Sequence, residues 1–137
     1  MWLKLSDNCR DVGLLILRVG IGTMFVLHGL PKIQGGVAMW EKLGMAVGNF
    51  GIHFAPVFFG FMAALAEFGG GICLILGFCS RLACIFMFIS MFVAATMHLN
   101  KGDGIQGASH AMEAAILFFS LFFIGPGKYS IDEKIKK

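Results

Sequence analysis

The chain has 137 residues, of which 58% are hydrophobic and only 14% charged, with a mean hydropathy of +0.82. Soluble domains carry about a quarter charged residues, so this composition indicates a single integral membrane domain. The net charge of +3 is small and scattered, which argues against nucleic acid as a partner and leaves the lysines and arginines as topology signals.

Residues 1–11 form a polar lead in which Trp2 suits the membrane interface and Lys4 and Arg10 supply flanking charge. A first span follows over 12–30. Its apolar run is longer than that of a signal peptide and has no small-residue cleavage site, so an uncleaved helix is expected. Gly13, Gly20, Gly22 and Gly29 allow neighbouring helices to approach closely. Arg18 and His28 interrupt the run. Arg18, Phe25, Gly29 and Lys32 share one helical face, which therefore looks into a bundle; an Arg18 that snorkels to the interface is the alternative.

The segment 31–55 is too polar and glycine-rich to span. Within it Val37, Trp40, Leu43 and Val47 recur at helical spacing, with Glu41 and Lys42 on another side, so an interfacial helix or lid is expected. The second span, 56–78, carries Glu67 at its middle. A carboxylate at that depth costs about 2.5–3.5 kcal/mol on insertion scales, so it should face other helices and have a partner. Gly60, Ala63, Ala64, Gly70 and Gly71 give it a small-residue surface for close packing.

After the turn Cys79-Ser80-Arg81, the third span covers 82–99 and ends at His98. A polar hinge over 100–109 leads to a fourth span, 110–124, which opens with His110 and Glu113 and stops at Gly125-Pro126-Gly127. Counting that span from Ile105 would lengthen it at the cost of burying Gln106 and Ser109. A charged tail with Tyr129 at the interface closes the chain. Cys9, Cys73, Cys79 and Cys84 lack Cys-x-x-Cys spacing and read as apolar packing residues.

Four spans put both termini and the Cys79 turn on one side, with Lys4, Arg10, Arg81, Lys128, Lys134, Lys136 and Lys137; the other side has Lys32, Lys42 and Lys101. The excess of basic residues marks the first side as cytoplasmic. His28, His98, His110 and Glu113 then gather toward the outer face, below a lid formed by 37–50. Glu67 lies about half a bilayer beneath them and Arg18 deeper still, close enough to be expected as its ion-pair partner. Such a polar column suits a transition metal, proton-coupled work on a quinone, or simple interfacial histidines with a buried charge pair.

The residues also carry a family likeness. An internal arginine in a first span that ends His28-Gly29-Leu30-Pro31-Lys32, Ala66-Glu67 followed by glycines at 69–71, an arginine after the second span, His98 closing the third, Glu113 in the fourth, and Gly125-Pro126-Gly127-Lys128-Tyr129-Ser130-Ile131-Asp132 at the close resemble the DoxX family of small four-helix membrane proteins. Relatives include the large subunit of an archaeal thiosulfate:quinone oxidoreductase, and others are linked to membrane complexes handling thiol and oxidative stress. The resemblance implies an all-α four-helix bundle in a prokaryotic cytoplasmic (inner) membrane. It places the family's polar pattern on Arg18, His28, Lys32, Glu67, His98 and Glu113, with His110 outside that pattern.

The expected function is a quinone-linked redox protein or subunit of a membrane oxidoreductase complex. His28, His98 and Glu113 would be catalytic, with Arg18, Lys32, Glu67 and His110 binding the cofactor and the presence of a metal left open. This chain lacks a separate soluble redox domain, so independent thiosulfate oxidation is not expected. A non-enzymatic partner or assembly module is the alternative, as is a small-molecule transporter, which with four short spans would require a homo-oligomer.

Overall fold

In the computed structural model, which describes residues 7–137, four long helices form an up-down-up-down bundle: α1 (Asp7–Gln34), α3 (Pro56–Leu76), α4 (Ser80–Asn100) and α5 (Gly104–Ile124). A short helix α2 (Gly36–Gly44) and a 3-10 turn (Met45–Phe50) lie between α1 and α3, and a single turn, α6 (Ile131–Ile135), ends the chain. All four long helices have the length and apolarity to cross a membrane, and only 28% to 33% of each span is buried within the chain. The remaining apolar surface faces lipid, so this is an integral membrane bundle. The roles expected for Trp2 and Lys4 lie outside the described residues.

On α1 the buried residues Asp11, Leu14, Arg18, Gly22, Phe25 and Gly29 recur at intervals of three and four, a single stripe turned inward. Ile16, Leu27 and Leu30 point out to lipid. The α1 face carrying Arg18, Phe25 and Gly29 does look into the bundle, as its spacing indicates. Its contact with α3 is glycine-mediated: a Cβ on Gly22 would come within 2.7 Å of the Gly71 carbonyl, and one on Gly71 within 2.7 Å of the Gly22 carbonyl. Backbone-to-backbone approach of this kind fixes the register of the two antiparallel helices. Opposite, Phe25 meets Phe118 of α5 edge-on at 4.9 Å between ring centroids, within a core completed by Leu74, Met87, Met91 and Leu121.

The helix boundaries differ most from the sequence reading in α1, which begins at Asp7 rather than 12 and runs past 30, and in α5. α1 continues through Pro31 to Gln34, because the proline stands in the last turn, where the missing N–H weakens only the frayed end. α5 begins at Gly104, well before residue 110. Gln106 on the added turn lies at the surface of the bundle, and the Ser109 hydroxyl donates to the Gln106 carbonyl at 2.9 Å.

The lid expected over 37–50 forms, as α2 and the 3-10 turn, and it is clamped to α3. A Cβ on Gly44 would collide with the Pro56 carbonyl and one on Gly60 with the Trp40 carbonyl. The Trp40 indole N–H donates to the Lys32 carbonyl at 2.9 Å, satisfying one of the orphan carbonyls at the end of α1. Its ring packs edge-on against Phe61 of α3 at 4.9 Å.

At the opposite end, α3 stops at Gly77, whose left-handed backbone (φ 68°) lets Phe78 N–H return to the Cys73 carbonyl at 2.9 Å. Cys79 then takes a left-handed conformation without being glycine (φ 47°). Asp132 accounts for it: its two carboxylate oxygens accept from Cys79 N–H at 2.8 Å and Ser80 N–H at 2.9 Å, fixing the turn and capping α4. The C-terminal segment is thus part of the bundle's floor.

Candidate functional site

Lys32 of α1 and Glu67 of α3 form the central ion pair. The Lys32 ammonium lies 2.8 and 2.7 Å from the two Glu67 oxygens. The Glu67 side chain is 5% exposed and that of Lys32 31%, so the carboxylate is held in the bundle by one cation that keeps a path to the lid end. Both residues line a half-open cavity of about 400 Å³ between α3, α4 and the lid. Its other walls are apolar, including Leu43 and Val47 of the lid, Phe59, Met62 and Ala66 of α3, and Ile89, Val93 and Met97 of α4.

The third ionisable residue of this cavity is His98, near the end of α4. Its Nδ1 is 2.8 Å from Asp103 Oδ2, across the turn into α5. An ionised carboxylate only accepts, so Nδ1 donates in this pair and Nε2 is the ring nitrogen not engaged by Asp103. Asp103 escaped the sequence reading, although a carboxylate five residues beyond a histidine at a helix end was a visible signal.

The remaining expected site residues lie elsewhere. His28 is exposed, and its Nδ1 bonds the Met24 carbonyl at 2.7 Å. Its ring lies 5.9 Å from that of His110, across the α1 and α5 seam. Neither lines the cavity, and Glu113 is exposed on α5. The single site of His28, His98, His110 and Glu113 is thus corrected: the four share one end of the bundle, but His28 and His110 meet on one seam while His98 lines the cavity without them. Among the described residues no three His, Cys, Asp or Glu side chains are placed to hold a metal ion together.

Arg18 also departs from expectation. It is fully buried, yet its partners are carbonyls: one guanidinium nitrogen donates to Leu74 at 3.2 Å and another to Tyr129 at 2.7 Å. Leu74 is about two turns from Glu67, roughly 10 Å along α3. The register set by Gly22 and Gly71 therefore puts Arg18 at the floor, and Lys32 takes the place beside Glu67 that had been assigned to it.

Residues 13–99 match the family model DoxX. The chain belongs to the DoxX family. It is 31% identical to the inner membrane protein YqjF of Escherichia coli K12 over 93% of this chain and 95% of that protein. It is also 28% identical to the inner membrane protein YphA of the same organism over 91% of each. An uncharacterised membrane protein of Mycobacterium tuberculosis, Rv3486, is 25% identical over 99% of this chain and 89% of its own length. No solved structure matches. With four apolar spans and inner-membrane relatives, this DoxX protein is a multi-pass inner membrane protein.

Proposed function

We propose that this DoxX protein binds a quinone head group in the cavity between α3, α4 and the lid, and serves as the quinone-linked component of a membrane oxidoreductase complex. One observation carries this reading: Lys32, Glu67 and His98 share an otherwise apolar cavity of about 400 Å³ inside a membrane bundle. That volume lies in the range of small-ligand sites, which are mostly apolar with a few placed polar groups. A quinone, when bound, supplies a two-electron, two-proton carrier. Electrons would come from a partner subunit.

The residues present fit such a group. Lys32 would donate to a carbonyl oxygen of the head group while remaining beside Glu67, which compensates its charge. His98 would offer a ring nitrogen to an oxygen of the head group and exchange a proton with it. Exposed Asp103, hydrogen-bonded to His98 Nδ1, orients the ring. The rest of the wall is largely apolar, so Lys32, Glu67 and His98 are the groups there that could exchange a proton with the ligand.

Short-tailed quinones are expected to quench Trp40 fluorescence in a Trp2→Phe background. His98→Ala and Glu67→Gln should weaken that binding by at least about tenfold, the loss of one hydrogen bond to a charged or polar group. His28→Ala and Glu113→Gln should leave it unchanged. If the parent protein binds no quinone and carries none through gentle purification, the assembly-module reading takes its place.

On the excess of basic residues, we place both termini on the cytoplasmic side, which turns the lid and cavity mouth outward. A reporter fused after Lys137 should be active only as a cytoplasmic reporter; a periplasmic signal reverses the placement.

A further inference from the structure

We infer that the ligand of this site carries a long hydrocarbon tail, and that the tail lies in a second stretch of groove, continuous with the first, running down α3 and α4 toward the Cys79 turn. This rests on the head-group reading above and adds the class of ligand: a tailed, lipid-soluble quinone rather than a small water-soluble one.

A second cavity, of about 230 Å³, lies between α3 and α4 and shares Met62, Ala66 and Phe86 with the first. Two cavities with common wall residues make one continuous path. From Glu67 it descends about a turn and a half of α3, roughly 9 Å, to Cys73. The polar residues are confined to the upper cavity, and the thiols of Cys73 and Cys79 are the most polar side-chain groups on the lower one. A head group and an apolar chain, in that order, match this distribution.

Gly69 marks the groove as space that helix packing does not consume. A Cβ on neighbouring Gly70 would meet Met87 at 2.7 Å, and Gly71 is required by the close approach to α1. At Gly69, by contrast, a Cβ would meet only Leu65 at 3.8 Å. Glycine weakens a helix interior, and no neighbour demands it here. What its missing side chain leaves is the lower cavity, whose wall it forms. Leu65 and Phe86 beside it are also exposed to lipid, so a chain can enter sideways from the bilayer.

A benzoquinone bearing a long alkyl tail with a photoreactive diazirine at the far end tests this. In the parent protein, peptide mapping should find the label on Gly69, Cys73 or Leu82, and a long-tailed quinone should compete it away better than a tail-less one. Gly69→Leu, which fills the groove from open space, should reduce that label by about tenfold or more, as expected when several buried methylenes are displaced. The same variant should leave tail-less binding within about twofold of the parent, the scatter of a site not touched. Label on the outward faces of α1 or α5, or a yield unchanged by Gly69→Leu, overturns the inference. Failure of the head-group reading looks different: label in the groove would persist in Glu67→Gln and His98→Ala, and the groove would stand as a chain-binding site without the quinone head.

Discussion

Lys32→Met is expected to destabilise the detergent-solubilised protein by about 3–5 kcal/mol, the usual cost of stranding one member of a buried ion pair, and Glu67→Gln by less, because the ammonium it strands is partly exposed. The double variant Lys32→Met/Glu67→Gln should cost clearly less than the sum. The ammonium contacts both carboxylate oxygens, at 2.7 and 2.8 Å; Lys32→Met leaves the carboxylate unpaired in a low-dielectric interior, while Glu67→Gln leaves an ammonium that keeps some solvent access. Reversible unfolding followed by Trp emission supplies the four corners of the cycle. The same cycle with Arg18 in place of Lys32 should be additive, since Arg18 and Glu67 are roughly 10 Å apart with separate partners. Additivity for Lys32 with coupling for Arg18 would reverse the assignment of the pair.

Why composition sufficed for the fold but not for this pair is a matter of register. Length and apolarity identify a spanning helix without reference to its neighbours, and the helical spacing of Val37, Trp40, Leu43 and Val47 likewise marks the lid. The partner of Glu67 depends on how far α1 is slid along α3. Arg18 and Lys32 lie on the same face of α1 almost four turns apart, so spacing alone offers both. The choice is made by the mutual approach of Gly22 and Gly71, a contact between two residues that carry no side chain and therefore no pattern.

The histidines illustrate a second limit. Topology correctly gathers His28, His98 and His110 at one end of the bundle, because that follows from span order. Which face of the bundle each occupies follows from helix rotation, and His28 and His110 turn to the α1 and α5 seam while His98 turns into the cavity. The tail of the chain shows the same thing in reverse. Asp11 and Asp132 look like ordinary surface carboxylates in sequence, yet Asp11 accepts from Lys128 N–H at 3.2 Å and Asp132 holds the start of α4. Both are backbone-directed contacts, invisible to side-chain pairing rules.

That floor should fail as a unit when Arg18 is removed. Arg18→Leu takes a charged donor from the carbonyls of Leu74 and Tyr129, and hydrogen bonds to charged groups are worth about 1.5–3 kcal/mol each. Residues 125–137 lose the guanidinium that ties them to α1 and α3, and trypsin cleavage after Lys128 should rise by about a hundredfold, the effect of roughly 2.7 kcal/mol on a local opening equilibrium. Asp132 is the second tie and gives the process a pH dependence. Burial alone would raise its carboxyl, but the amides of Ser80 and Cys79, with Lys136 nearby, outweigh it and hold the group below the ordinary carboxylate value. Its folded value is therefore lower than its unfolded one, near 3.9. The stabilisation is complete above that unfolded value and is lost as pH falls through the folded one. Cleavage of the parent should accordingly be flat at neutral pH and climb only in acid, where an acid-stable protease must replace trypsin. Asp132→Asn should be faster than the parent at neutral pH and lack the acid rise attributable to this carboxyl. An Arg18→Leu protein whose tail is cut no faster than the parent's would mean that the C-terminal segment is held by something other than the guanidinium.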